Sequence, residues 1–179
     1  MEDTMRLKDD LYVDIQPARE QDAPYIIEHL NQVGGESDNL LFGKGEFSLS
    51  VEQETAWIRT INRSLTSRVV LAVAHDEIVG IGSLVSNVKP RIAHHGELAV
   101  SVKQAYWNHG IGRKIIKYLI QFAQANGVTE IIHLGVRADN VRAIRLYQDL
   151  GFEEVGRFPG FFKIDGQYYD EILMNLYLR

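Results

Sequence analysis

Apolar positions recur along this chain with two periods, and segments of the two kinds follow one another from end to end. Residues 12–16, Tyr12-Val13-Asp14-Ile15-Gln16, alternate in the manner of a strand and stop at Pro17. That suits a first edge strand, because proline has no N–H to give a neighbour. Asp22 stands where it would cap a helix over residues 23–32, with Pro24 in the first turn. Ser50-Val51-Glu52-Gln53 has the form of a capping box, and Trp57, Ile58 and Ile61 follow it at helical spacing as core or loop-facing residues. Residues 68–74 and 78–86 make a hairpin around His75-Asp76-Glu77, and residues 92–102 a fourth strand led by His94 and His95. Ile111, Ile115, Leu119 and Phe122 form one stripe of a helix that Gly127 closes. Residues 131–136 read as a short buried strand, and Asn140 opens a helix that ends before Gly151. The last two strands, 152–164 and 167–178, meet at Asp165-Gly166, a strong hairpin turn. The order of elements predicts a single α+β domain over residues 11–179, with a mixed sheet of about seven strands and about four helices. Residues 33–49, with two glycine signals and no sustained period, read as a functional loop. Residues 1–10 read as a flexible, solvated tail.

Between the fourth strand and the following helix lies Tyr106-Trp107-Asn108-His109-Gly110-Ile111-Gly112-Arg113. A strand feeds a glycine turn, and the turn feeds a helix start. The first N–H groups of a helix have no internal partner and carry the positive end of the macrodipole. Glycine lets a bulky anion approach such a backbone, so the stretch reads as a phosphate or pyrophosphate site, or else as a tight turn with close packing. Two phosphate motifs fail on spacing. Gly112 is followed by Arg113-Lys114-Ile115, which is not the end of a P-loop, and Ile115 stands where a dinucleotide fingerprint needs its third glycine.

Composition narrows the chemistry further. With 179 residues, 45% apolar and 24% charged, the chain has the make-up of one globular domain. No apolar run approaches a transmembrane length, and Met1-Glu2-Asp3-Thr4-Met5-Arg6 lacks the apolar stretch of a signal peptide. The absence of cysteine excludes disulfides, thiolate metal sites and a cysteine nucleophile, and the cytoplasm is the expected compartment. A net charge of −5 argues against nucleic acid as a partner and mildly favours cationic substrates. No membrane partner is expected, and a homodimer is compatible with the sequence. No His/Asp/Glu cluster has metal-ligand spacing, so no metal is expected.

Trp107-Asn108-His109-Gly110-Ile111-Gly112 resembles the acetyl-CoA pyrophosphate loop of the GNAT family of N-acetyltransferases, whose pattern is Gln/Arg-x-x-Gly-x-Gly/Ala. Asn140-Val141-Arg142-Ala143-Ile144-Arg145-Leu146-Tyr147-Gln148-Asp149-Leu150-Gly151-Phe152 is similar to the family's second signature, Asn-x-x-Ala-x-x-Leu-Tyr-x-x-x-Gly-Phe. The two stand in the expected order, and the resemblance covers roughly residues 69–178. Trp107 departs from the first pattern and looks like the branch that includes the ribosomal-protein alanine acetyltransferases.

The resemblance implies acetyl-CoA as cosubstrate, held by Asn108, His109, Gly110, Ile111, Gly112 and Arg113, with Val100, Ser101 and Val102 along its pantetheine arm. It implies that a backbone N–H of that strand faces the thioester oxygen. Asn140 and Ala143 belong to the same cofactor set, although Asn140 is equally a helix N-cap. Tyr147 is the implied stabiliser of the leaving thiolate; its other reading is a core residue beside Leu146 and Leu150. An alkylamine of pKa ~10.4 is neutral in only about one molecule in a few thousand at pH 7, so a base or a water chain helps. Glu97 resembles the base position of some members, and burial there would raise its pKa. Its other reading is an exposed or ion-paired strand residue. His94 and His95 alternate across the strand, so only one can face a site.

The sequence therefore points to an acetyl-CoA-dependent N-acetyltransferase that acts on a primary amine by direct transfer in a ternary complex. The acceptor could be a small amine, a polyamine or a peptide N-terminus, with choice lying in residues 33–49 and the last hairpin. Two other readings stay open: a non-catalytic acetyl-CoA sensor, and a nucleotide-binding module, which the failed spacings disfavour.

Overall fold

The computed structural model describes residues 3–6 and 12–178. In chain order the elements are β1 (Asp3–Arg6), β2 (Tyr12–Pro17), α1 (Ala23–Gly34), α2 (Val51–Arg63), β3 (Arg68–Ala74), β4 (Glu77–Ser86), β5 (His95–Val102), α3 (Ile111–Ala125), β6 (Ile131–Arg137), α4 (Val141–Asp149), β7 (Glu153–Ile164) and β8 (Gln167–Tyr177). The strands form one mixed sheet in the order β1-β2-β3-β4-β5-β6-β8-β7. Among the described residues only the β5–β6 pair is parallel.

Eight strands stand where about seven were expected, and the extra one is β1. The outer edge of β2 carries unpaired N–H and C=O groups, and Asp3–Arg6 covers it, in register from Asp3 opposite Ile15 to Arg6 opposite Tyr12. Thr4 Oγ1 reinforces the pair by donating to Asp14 Oδ1 at 2.6 Å. β2 is therefore not an edge, and the tail reading fails for residues 3–6; the rest of residues 1–10 lies outside the described residues. Asp22 also departs from expectation. Its carboxylate accepts the Arg19 N–H at 2.7 Å, holding the turn before α1, and makes no cap bond to the helix itself. The Ser50 box forms as read, with Ser50 Oγ accepting from Gln53 N at 3.2 Å and Gln53 Oε1 from Ser50 N at 2.9 Å. β5 starts at His95, because residues 88–94 turn rather than extend.

Helices cover both faces. Ile111, Ile115 and Leu119 of α3 pack with Val70, Leu84 and Leu134, and Tyr147 and Phe152 join that side. Ile26 of α1 and Ile58 and Ile61 of α2 pack on the other face with Val69, Leu71 and Ile81. Each interior side chain is fully buried or nearly so, worth about 1.5–3 kcal/mol apiece against exposure. The seating of α3 depends on one glycine. A Cβ on Gly82 of β4 would lie 2.2 Å from Ile115 Cγ2, so the helix rests directly on the strand backbone. Gly82→Ala should destabilise the protein by about 2 kcal/mol in urea unfolding, as overpacked cores do. Ile115→Val should recover part of the loss when combined with it; a neutral Gly82→Ala would show that α3 can ride higher without cost.

Candidate active site

β5 and β6 pair only at their first three positions, from His95 opposite Ile131 to Glu97 opposite His133. Beyond that point β5 stays on β4 as far as Val102, and β6 stays on β8 as far as Arg137. The sheet therefore opens as a wedge, and on that side residues 98–102 of β5 present a backbone edge with no strand partner among the described residues. A cleft of about 650 Å³ fills the wedge. Backbone pairing is the obvious use of such an edge, since a guest with amide groups can satisfy it as a strand would.

At the wide end of the wedge sits the glycine turn. Gly110 is the N-cap of α3 in a left-handed conformation, φ 84°, and no side chain caps the helix. Two other helices differ: Ser50 caps α2, and Asn140 caps α4 by accepting the Ala143 N–H at 3.2 Å. The first N–H groups of α3 thus stay available to an anion, each charge gaining about 0.3–2 kcal/mol from the dipole. Trp107 ties the turn in place. Its Nε1–H donates to the Val102 carbonyl at 2.7 Å, and the Arg142 guanidinium lies 3.7 Å over its ring. Arg113 of α3 bonds Asp149 of α4 at 2.7 Å. The two sequence signatures are thereby joined side by side.

Val100, Ser101, Val102, Asn108, Gly110, Ile111, Gly112, Arg113, Asn140, Ala143 and Tyr147 all line this cleft, together with Glu97. His109 does not; its Nδ1 pairs with the Trp107 carbonyl at 2.8 Å. His94 and His95 meet edge to face at the closed end of the wedge, 4.2 Å between centroids, and neither reaches the cleft. Among the described residues no group of three or more His, Asp or Glu side chains could hold a metal.

Tyr147 is buried against Phe152, and burial pushes its phenol up to about 12. Against a thiol near 8.5, full proton transfer to a thiolate is then uphill by roughly 5 kcal/mol. The hydroxyl is therefore suited to donate a hydrogen bond and keep its proton. Glu97 is exposed, so the expected burial of that carboxylate is absent. The buried carboxylate in the cleft is Glu171 of β8, whose pKa is raised by burial and then by the charge of Glu97.

Sequence reasoning also missed His29. It lies in the interior between α1 and the sheet, with Nδ1–H donating to the Ile78 carbonyl at 3.2 Å. That bond fixes the tautomer, leaving Nε2 to accept from Ser101 Oγ at 3.1 Å. A strand of the cleft is thus anchored from α1. A second, apolar chamber of about 230 Å³ opens on the same face, lined by Ile26, Leu30, Phe42, Phe47 and Trp57. Trp57, read as core or loop-facing, is 37% exposed and forms part of its wall. Glu54, buried and with its pKa raised by that burial, also faces the chamber. The chamber meets the main cleft at Leu40 and at Ala99, Val100 and Ser101.

Residues 37–152 match the family model described as Acetyltransferase (GNAT) family. A stretch of 67 residues is 34% identical to the N-alpha-acetyltransferase RimI of Mycobacterium tuberculosis, covering 37% of this chain and 40% of that relative. The chain thus spans less than half the length of that curated relative. Among solved structures, an acetyltransferase of the GNAT family from Streptococcus pneumoniae superimposes with a TM-score of 0.91 at 27% identity, over 93% of this chain and 99% of that one. The acetyltransferase yncA of Salmonella typhimurium, solved with its cofactor acetyl-CoA, shares the fold with a TM-score of 0.82 at 23% identity, over 93% and 94% of the two chains.

Proposed function

The chain belongs to the acetyltransferase (GNAT) family, and on that footing we propose that it transfers the acetyl group of acetyl-CoA to a primary amine by direct attack in a ternary complex. The observation that carries this reading is the meeting of three features in one cleft: an uncapped helix start, an unpaired strand edge, and the Tyr147 hydroxyl. The pyrophosphate would take the N–H groups of residues 110–113, and the pantetheine amides would pair with Val100, Ser101 and Val102. Asn140 and Ala143 flank that arm from α4. A strand N–H near Val100 would face the thioester oxygen and stabilise the charge that develops there. With no cysteine in the chain, an acetyl-cysteine intermediate is chemically excluded.

The acceptor would enter from the α1 and α2 face, and the apolar chamber there suits an amine that carries an apolar arm. A peptide N-terminus is the first acceptor to test, because the named relative is an N-alpha-acetyltransferase. The experiment is thiol release from acetyl-CoA over a panel of alanine-initiated peptides, tyramine and spermidine. Release with none of them, despite acetyl-CoA binding, would favour a sensor over an enzyme.

Tyr147→Phe keeps the ring and removes the hydrogen bond to the thiolate. It should lower turnover by roughly tenfold or more while acetyl-CoA affinity changes little. Unchanged turnover would make Tyr147 a packing residue.

A further inference from the structure

We propose that Glu171 is the general base of this reaction, accepting the proton of the acceptor's ammonium group, and that position 135 is glycine to make room for it. The inference rests on the acetyltransferase reading above and assigns the step which that reading leaves open.

The register places the carboxylate. Glu171 of β8 stands opposite Arg137 of β6 on one side and Phe158 of β7 on the other. Residues directly opposite share a face of the sheet, and so do residues two apart on one strand. Gly135 is therefore on the same face as Arg137 and Glu171. A Cβ on Gly135 would lie 2.0 Å from Glu171 Oε1 and 2.5 Å from its Cδ. The carboxyl group thus lies flat across β6, in the volume that any other residue at 135 would fill. Glu171 is 9% exposed and what it exposes faces the cleft.

Its natural partner is withheld. Arg137 could neutralise Glu171, but its guanidinium donates to Asp139 Oδ1 and Oδ2 at 2.6 and 2.8 Å and to the Asp38 carbonyl at 3.0 Å. The same guanidinium lies 4.2 Å over the Tyr169 ring. From β5 the facing group is Glu97, whose negative charge raises the proton affinity of Glu171. Tyr147 of α4 lines the same cleft from the opposite face of the sheet. On β7 the direct neighbour is the uncharged Phe158, while Arg157 is ion-paired with Asp170 at 3.3 Å. No hydrogen bond or ion pair among the described residues engages the Glu171 carboxylate. A buried carboxylate without a partner carries a desolvation cost that a cation would relieve, and an ammonium group is such a cation.

The two faces of the sheet divide the work. Leu134, Val136 and Ile172 point to the α3 and α4 side, where Tyr147 sits. Gly135 and Glu171 point to the α1 and α2 side. The amine would arrive on one face and the thiolate would leave on the other, with the thioester in the wedge between. In balance, R–NH3+ gives one proton to Glu171, and the neutral nitrogen attacks the carbonyl carbon. The C–N bond forms as the C=O π pair moves onto oxygen. As the adduct collapses, the C–S bond breaks with its electron pair on sulfur, which the Tyr147 hydroxyl stabilises by a hydrogen bond, and the surplus proton on nitrogen passes to the thiolate through water. Glu171 returns its proton to solvent through the cleft. Glu97, exposed and across the wedge, acts by tuning Glu171.

The test uses purified full-length protein, saturating acetyl-CoA, and an alanine-initiated hexapeptide or tyramine as the amine probe. Glu171→Gln should cut kcat by ~10²-fold and leave the thermal shift given by acetyl-CoA unchanged. Glu97→Gln should move the acidic limb of the pH–rate profile to lower pH, because Glu171 then loses the neighbouring negative charge. Combining Glu171→Ala with Gly135→Glu returns a carboxylate to the same space from β6, and should recover at least tenfold of the loss. In parallel, 13C NMR of glutamate-labelled protein should show, besides the buried Glu54, a carboxyl titrating above the usual carboxylate range that is absent in Glu171→Gln and shifted down in Glu97→Gln. The proposal is overturned if Glu171→Gln retains wild-type kcat, if Glu97→Gln removes the limb while Glu171→Gln keeps it, or if the Glu171 carboxyl titrates as an ordinary one. Failure of the acetyltransferase reading looks different: the wild-type protein itself would release no thiol with any probe amine. The NMR arm reads Glu171 whether or not a probe amine is acetylated.

Discussion

Replacing Gly110 and Gly112 together by valine is expected to abolish the stabilisation that acetyl-CoA gives the wild-type protein. At a concentration ~100 times its dissociation constant, the ligand should add about 2.7 kcal/mol. For a chain of this length that is a rise in Tm of roughly 5–10 °C. The two positions contribute differently. Gly110 sits at φ 84°, where an L side chain costs about 1–2 kcal/mol, so valine there strains the cap itself. A Cβ at Gly112 would meet Leu146 Cδ2 at 3.7 Å and Val102 Cγ2 at 3.8 Å, which is ordinary contact. The unbound fold therefore tolerates a methyl group at 112, and loss of affinity in Gly112→Ala alone would report on close approach of the ligand to the backbone. Differential scanning fluorimetry with and without acetyl-CoA separates the two effects, because strain at 110 lowers both curves. A full ligand shift in the double variant would place the pyrophosphate elsewhere.

The features legible in the sequence are those whose physics is local. The stripe of Ile111, Ile115 and Leu119, the Ser50 box and the Asp165-Gly166 turn each depend on residues within a few positions of one another. So do the two signatures, and the fold brings them together: eleven of the twelve residues expected to hold the cofactor line one cleft, His109 being the exception. What escaped notice depends on register. Gly135 reads as an unremarkable glycine in an apolar strand until β8 is laid beside β6. Glu171 then occupies its missing side chain, whereas Glu97, better placed along the chain, proves to be exposed. β1 escaped for a related reason: Asp3-Thr4-Met5-Arg6 is too short to carry a strand period, and the open edge of β2 recruits it. Asp22 shows that a cap-forming residue with two candidate N–H partners is not assigned by spacing alone.

His29 escaped because a lone histidine in an amphipathic helix carries no signal, yet it supports the second large prediction. Burial, the largest cause, holds its pKa down at about 4, against the raising effect of its bond to the Ile78 carbonyl. The folded state therefore keeps the ring neutral where the unfolded chain, with a pKa near 6.5, takes up a proton. Protons bound by the unfolded state exceed those bound by the folded one between these two values, so stability falls as pH drops through that window. The contribution is fully present above pH ~6.5 and is lost by pH ~4, about 3 kcal/mol in all. Urea unfolding at pH 7.5 and pH 4.5 should show the wild-type protein losing roughly 2–3 kcal/mol more than His29→Gln, whose amide does not titrate. Carboxylates titrate in both proteins, so the difference isolates the histidine. Parallel losses in the two proteins would mean that His29 takes up its proton without leaving its site. The link to function runs through Ser101, whose hydroxyl donates to the neutral Nε2 and cannot do so once that nitrogen carries a proton. Acetyl-CoA affinity should therefore weaken over the same pH window in the wild-type protein and less so in Ser101→Ala, where the bond is already gone.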